Sequence, residues 1–330
     1  MKITIKELSH ISGYSSSTIC RVINNSPGVK PETREEIKKL LEKYQYRTNV
    51  MELRRLTANH KKVMVIVGDL ENTFYMEQVR DVNRILGENG YNTMIVTSEC
   101  SHEEEEKYVE MAQNESYAGI IFIDISPRAP QDEKNSVIPM ICMNRNIPFS
   151  SYGSVITDNY QGGYKATQYL IDKGHRKIIY LAGKNSSFSV QERGRGFRDA
   201  MIKNGIPVTA NSIYNGNLDI KSGYTFGEMK VKKCLDCTAV FIANVQMGIG
   251  FMKAMNDYGV SIPDDISMIC YDHSSMAKSL NITSVGVSPC KMAEKTVNIL
   301  MNSLKGETGE VQDVLIRPYI EERKTVKNMM

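Results

Sequence analysis

The chain has 330 residues, 41% of them hydrophobic and 24% charged, enough apolar content for more than one core and too much for a predominantly disordered chain. No run of about 18 apolar residues offers a membrane span, and the N-terminus enters charged helical sequence directly, so a cytoplasmic protein without a secretory signal is expected. The net charge of +3 conceals an asymmetry: residues 1–62 hold 13 Lys or Arg against 6 Asp or Glu, the remainder 28 against 32, and a basic head on a mildly acidic body points to nucleic acid.

The head reads as helices. Thr4 and Glu7 form a capping box, in which the hydroxyl serves an orphan amide and the carboxylate reaches back. Leu8 and Ile11 follow at helical spacing, and Gly13 gives a place to turn. Ser15 caps a second helix, with Ser16, Ser17 and Thr18 in its first turn. Ile19, Val22 and Ile23 supply the buried face of that helix, and Ser16, Ser17 and Arg21 point the other way. A third helix over 31–44 closes a small core with Ile37, Leu40 and Leu41. Two short helices on a tight turn make a helix-turn-helix, whose second member fits the major groove. Arg21 has the length to reach guanine O6 and N7, although an arginine on a capped surface helix has a plainer reading as well. Asn24, Thr33 and Arg34 suit phosphate contacts and serve equally as turn and cap residues.

After Lys61 and Lys62 the pattern changes. Apolar runs at 63–67, 93–96, 119–123, 137–142, 177–181, 239–242 and 266–271 read as buried strands, with amphipathic helices at 76–88, 161–173, 191–204 and 247–257 between them. Such alternation predicts parallel sheets with helices on both faces, and two doubly wound sheets suit the length better than one. Ligands bind such sheets at the carboxyl ends of their strands, and two facing lobes make a cleft there. Gly162 and Gly163 allow close helix packing. Gly174 reads as a helix C-cap and His175 as a packing or capping residue.

Seven cysteines are scattered through the chain and five histidines are dispersed, which argues for reduced thiols. Cys234 and Cys237 form a lone CxxC without a second pair, so neither a metal nor a cofactor is expected. Gly248-Ile249-Gly250 starts like a dinucleotide fingerprint, but Lys253 stands where its third glycine belongs. Gly183-Lys184 lacks the earlier glycine of a phosphate-binding loop. The run Glu103 to Glu106 reads as a solvated helix start, where negative charge favours the helix dipole. No catalytic constellation stands out, and no enzyme is expected.

The string T-I-K-E-L-S-H-I-S-G-Y-S-S-S-T-I-C-R-V-I-N-N at 4–25, followed by V-K-P-E-T-R at 29–34 and Y-R-T-N at 46–49, closely resembles the headpiece of the LacI/GalR family of bacterial repressors. The match continues through D-L-E-N-T-F-Y (69–75), T-D-N-Y-Q-G-G (157–163), I-D-K-G-H-R-K-I (171–178), R-G-R-G-F (193–197), F-I-A-N (241–244), I-P-D-D-I-S (262–267) and Y-D-H (271–273), ending at R-K-T (323–325). The resemblance implies a helix-turn-helix head at 1–47, a hinge at 48–60 and a two-lobed body at 61–330 like a periplasmic sugar-binding protein, with three crossing strands. It places Ser16, Ser17 and Arg21 at base-reading positions. In relatives a hinge leucine pries open a base step from the minor groove. Here that position holds Arg55, flanked by Leu53 and Leu56, so either Leu56 takes over with a one-residue shift or Arg55 enters the groove.

The resemblance also implies an effector site built from Phe74, Tyr75, Asn144, Arg193, Leu218, Asn244 and Asp272. Arg193 and Asp272 suit pairs of hydroxyls, an asparagine amide supplies donor and acceptor, and an aromatic ring covers a pyranose face. A sugar or sugar phosphate is favoured over a purine. Leu218 stands where some relatives place an aromatic ring, and Val245 where an acidic residue often follows Asn244. The expected protein is a homodimer on a pseudo-palindromic double-stranded operator, its first body helix on the dimer side and its C-terminus lacking the leucine-heptad tail of tetrameric relatives. The rival reading is a ligand sensor whose basic head binds a protein partner.

Overall fold

A computed structural model of the chain describes residues 5–23, 28–44, 61–124, 126, 138–145, 153–183, 187–306 and 313–330. The expected Thr4 cap, Asn24 and the hinge with Leu53, Arg55 and Leu56 lie outside those residues.

Three helices form the head: α1 (Ile5–Ser12), α2 (Ser16–Ile23) and α3 (Pro31–Lys43). Leu8, Ile19, Val22 and Ile37 are buried together, with Tyr14, Ile23, Val29 and Leu41 packed around them. Gly13 turns the chain between α1 and α2 at φ +72°, a left-handed conformation that costs glycine little. Ile11, although at helical spacing from Leu8, is 51% exposed, because the last turn of α1 extends past the core that Leu8 joins.

In the body, buried β-branched strands alternate with helices as the pattern predicts. The first sheet has the order β11-β5-β4-β3-β1-β2, from β1 (Lys62–Val67), β2 (Asn92–Thr97), β3 (Gly119–Ile123), β4 (Met140–Met143), β5 (Gly153–Thr157) and β11 (Asp313–Ile316). Its neighbours are parallel throughout, with Val63 opposite both Thr93 and Gly119. The second has the order β12-β10-β9-β8-β6-β7, from β6 (Ile178–Ala182), β7 (Ile213–Asn215), β8 (Ala239–Ile242), β9 (Ser267–Tyr271), β10 (Ser284–Gly286) and β12 (Tyr319–Glu321). Here only the β10–β12 pair is antiparallel among the ladders described.

Helices α4 (Thr73–Glu88) and α5 (His102–Asn114) belong to the first lobe, and α6 (Asn159–Asp172), α7 (Phe188–Lys203), α8 (Ile220–Lys232), α9 (Val245–Asp257) and α10 (Ser275–Ser279) to the second. Helix α11 (Pro289–Lys305) returns to the first, where Met292, Val297 and Leu300 join the core of β1 and α4. The chain therefore passes between lobes three times: at Asp158, over 287–288 and over 317–318. The helices expected at 76–88, 161–173, 191–204 and 247–257 each begin two to three residues earlier. Their first turns follow the polar caps Asn72, Asp158, Ser187 and Asn244, where apolar spacing has not yet begun.

Glycines set the helix pairs of the second lobe. A Cβ on Gly163 of α6 would lie 2.1 Å from the Arg193 carbonyl oxygen, and one on Gly196 of α7 2.1 Å from that of Tyr160. On α9, Gly250 faces the Ile220 carbonyl at 1.9 Å by the same measure. The Gly248-Ile249-Gly250 string thus serves helix packing. One expectation is corrected. Glu105, in the run read as a solvated helix start, is fully buried, because α5 turns Glu105, Val109 and Ala112 inward together. Its carboxylate accepts from the Ser98 hydroxyl (3.2 Å), the Ser126 amide (2.8 Å) and the Ser126 hydroxyl (2.6 Å), replacing the hydration that burial removes.

Candidate functional site

On the head, Ser15 is committed internally. Its Oγ accepts from the Thr18 amide at 3.2 Å and lies 2.8 Å from both the Ser17 and Thr18 hydroxyls, so it caps α2 as its residue type predicts. Ser17 and Arg21 are exposed, one turn apart, and Ser16 is half-buried beside them. Thr33 is half-buried at the start of α3, and the Tyr14 hydroxyl donates to Glu36 Oε2 at 2.5 Å, tying α3 to the turn. Arg34 is half-buried on the same helix.

In the body, the seven expected effector residues line one cavity of about 760 Å³ at the carboxyl ends of the strands, with walls from both lobes. Polar residues that directly follow strands turn sharply into it: Asp124 (φ +50°), Asn144 (φ +66°) and Asp272 (φ +77°). Asx side chains tolerate this left-handed backbone. Leu218 adopts it too, at φ +67°, a strain for a leucine that its packing against Gly183 helps to hold.

The second-lobe wall is centred on Arg193. Its guanidinium lies 3.5 Å above the Tyr271 ring, with Nε donating to Asn159 Oδ1 (2.9 Å) and Nη1 to the Ala243 carbonyl (2.7 Å). Asn244 is similarly engaged: Oδ1 accepts from the Met247 amide (2.9 Å) as the α9 cap, and Nδ2 donates to the Leu218 carbonyl (2.8 Å). That second bond holds the strained turn against the helix start. Asp272 is different. Its side chain is almost fully buried, and among the described residues no donor reaches its carboxylate. Burial pushes its carboxyl up to about 6, with the Arg193 charge opposing the rise and Asp124 adding to it.

The first-lobe wall carries residues that sequence reasoning missed. Tyr75 donates to Asp124 Oδ2 at 2.9 Å, and Arg145 lies 3.7 Å from Asp124 Oδ1. Burial raises the Asp124 carboxyl, with Arg145 and Tyr75 opposing. Gln78 exchanges two hydrogen bonds with Asn144, at 2.7 and 3.1 Å, fixing the orientation of that amide. Asp124 and Arg145 were readable in principle, since each closely follows an apolar strand. Phe74 is largely buried and meets Tyr75 edge-on at 6.1 Å. Among the described residues two hydrogen-bonded contacts cross between lobes, the first of them at the cavity. Gln246 Nε2 donates to the Glu71 carbonyl (2.8 Å), and the Ser275 amide and hydroxyl donate to Glu77 Oε1 (2.8 and 2.6 Å).

Residues 4–49 match the bacterial regulatory proteins of the lacI family, and residues 167–326 match the periplasmic binding protein-like domain. The chain is thus similar to the lacI family in its head and to periplasmic binding proteins in its body. It is 27% identical to the HTH-type transcriptional repressor PurR of Vibrio parahaemolyticus over 332 residues, covering 99% of both chains. Among solved structures it is similar to the transcriptional regulator CelR–cellobiose complex, with a TM-score of 0.70, 25% identity and coverage of 98% of this chain and 100% of that one. The same fold is seen in a LacI family regulator from Enterococcus faecium with bound ribose, at TM-score 0.74 and 21% identity over 82% of this chain and 100% of that one. With that lacI-type head this protein is a DNA-binding transcription regulator, and the relatives named are regulators too. Among the described residues no helix is long and apolar enough to cross a membrane, and no three His, Cys, Asp or Glu side chains group as metal ligands.

Proposed function

We propose that this protein is a cytoplasmic, homodimeric repressor whose hold on a pseudo-palindromic operator is set by a sugar in the cavity between its lobes. The observation that carries the effector half is Asp272, a buried carboxylate beside Arg193 that no donor among the described residues reaches, in a cavity with Phe74 and Tyr75 on the facing wall. A pair of ring hydroxyls would satisfy it, and an aromatic side chain would take the apolar face of the ring. The cellobiose and ribose in the two related structures support a sugar. Residues 1–47 act as the reading head, with Ser16, Ser17 and Arg21 toward base edges and Thr18, Asn24, Thr33 and Arg34 toward the backbone. Residues 48–60 act as the hinge, with Leu53, Arg55 and Leu56 at the minor groove, and 61–330 as the sensing body.

The homodimer is supported by the edge strand β2, where Met94 is 47% and Ile95 42% exposed. Unpaired apolar edges invite a second copy. Two heads on a twofold axis then read two half-sites. The effector acts only as far as it binds one lobe arrangement better than the other, and an effector that weakens DNA binding is itself bound more weakly on DNA.

The deciding experiment selects duplexes from a random pool with the full-length protein at moderate salt, since phosphate contacts alone fade steeply with ionic strength. A palindrome should emerge, sugars should alter its retention, and Arg21→Ala should lose sequence preference while keeping sugar affinity. An Arg21→Ala protein that still prefers the same palindrome removes Arg21 from the reading head.

A further inference from the structure

The charges around the cavity say more about its ligand than its shape does. Among the described residues, five carboxylates line it, from Asp69, Glu71, Asp124, Asp219 and Asp272, against three cations, from Arg145, Arg193 and Lys221. The two arginines are also partly spoken for. Arg193 spends Nε and Nη1 on Asn159 and the Ala243 carbonyl and lays its face on Tyr271, so no open fork remains for a phosphate. Arg145 faces Asp124. Helix N-termini, the other usual anion donors, are mostly closed as well. Asn72, Asp219 and Asn244 already cap α4, α8 and α9 with their own side-chain oxygens. Of the helices that start at the cavity, α7 begins at Ser187 without a side-chain cap among the described residues.

From this we infer that Asp124, seated on the first-lobe wall between Tyr75 and Arg145, is a charge filter: the cavity admits uncharged polyhydroxyl ligands and rejects their phosphate esters. The inference rests on the sugar reading above and narrows it. Asp124 suits the role because it is a wall residue distinct from the Asp272–Arg193 pair that would hold the ring hydroxyls. Its charge is balanced by the Arg145 guanidinium at 3.7 Å and the Tyr75 hydroxyl at 2.9 Å, with Arg193 adding at longer range. A dianion entering the closed space meets that carboxylate with little water between them, and one like charge within about 10 Å in partly screened surroundings is worth roughly tenfold in affinity.

The test is calorimetric titration of the full-length protein with matched pairs: cellobiose, glucose and ribose against their monophosphates. For any pair that binds, the wild type should prefer the neutral member by roughly tenfold or more. Asp124→Asn, which keeps a side chain tolerant of the left-handed turn, should narrow that preference severalfold, and Arg145→Gln should widen it. Thermal melts of the ligand-free variants check that both are folded. A wild type that binds the phosphate as well as or better than the neutral sugar overturns the filter and leaves the sugar reading standing. Unchanged discrimination in Asp124→Asn overturns the assignment to this residue. Failure of every member of every pair to bind takes down the sugar reading and the filter with it.

Discussion

Two buried side chains on the same turn, Asp272 and His273, respond to acid in opposite senses. The Asp272 carboxyl titrates at about 6 in the fold, above its unfolded value near 4, so the ligand-free protein binds an extra proton between those values and gains stability from this group as pH falls through about 6. Sugar affinity should move the other way, because the protonated carboxyl loses half of its role as an acceptor. Asp272→Asn should therefore raise the melting temperature of the ligand-free protein at neutral pH, cut sugar affinity by about tenfold or more, and flatten its pH profile between 5 and 7. Calorimetry across that range reads all three. His273 is held neutral, its value lowered by burial to about 4, with Nδ1 2.8 Å from Ser284 Oγ and Nε2 3.1 Å from the Tyr319 carbonyl. The unfolded imidazole titrates near 6.5. Its stabilisation is fully present above about 6.5 and is lost as pH falls toward about 4. Replacing it with Gln should blunt acid destabilisation in urea titrations at pH 5. Neither sign is visible in the string Y-D-H, since both come from burial that only the assembled sheet creates.

Among the elements, the α6–α7 pair ties packing to the site. Gly163 touches the backbone of Arg193 itself, so Gly163→Ala must push α7 outward and tilt the guanidinium off Tyr271. About 2 kcal/mol of lost stability is expected in denaturant titrations, together with weaker sugar binding. Ser15→Ala should remove the α2 cap at a cost of about 1 kcal/mol, measurable as a lower melting temperature of the head transition, with the body transition unchanged. Both glycines of 162–163 were legible as packing residues, and most of the buried strands as apolar runs. The short strands β7, β10, β11 and β12 were not, nor was β5, because three to five residues carry too little alternation to stand out. Helices α8 and α11 were missed where their apolar stripes are interrupted by Lys and Gly. Glu105 misled for a related reason: in a run of four glutamates, residue type cannot say which one the helix turns inward.

At the scale of the whole molecule, the cavity is closed by contacts that belong to neither lobe alone. Glu77 on α4 accepts twice from Ser275 at the start of α10, from the same helix that presents Phe74 and Tyr75 to the cavity and Gln78 to Asn144. Glu77→Gln weakens both bonds by removing the charge. The ligand-free protein should then show a larger radius of gyration by small-angle scattering and a severalfold lower sugar affinity, with the selected operator unchanged. An unaltered scattering curve would count against any closing role for this contact. The pairing of lobes around a cleft was legible from strand–helix alternation and from the family strings. The cross-lobe bonds were not, because they join residues nearly 200 positions apart through positions with no apolar signature.

The three crossings have a consequence for how the protein is made. Both sheets end in strands from the last stretch of chain, β11 beside β5 in one lobe and β12 beside β10 in the other. On the ribosome, the first-lobe sheet waits for α11 and β11 long after β5 has emerged, and the second must be nearly complete before the first can be. Neither lobe is a stretch of sequence that finishes before the next begins, so each passes through a stage with an open apolar edge. A nascent chain halted near residue 280 therefore exposes unfinished sheets in both halves at once, and that interval is where demand for chaperones should be concentrated.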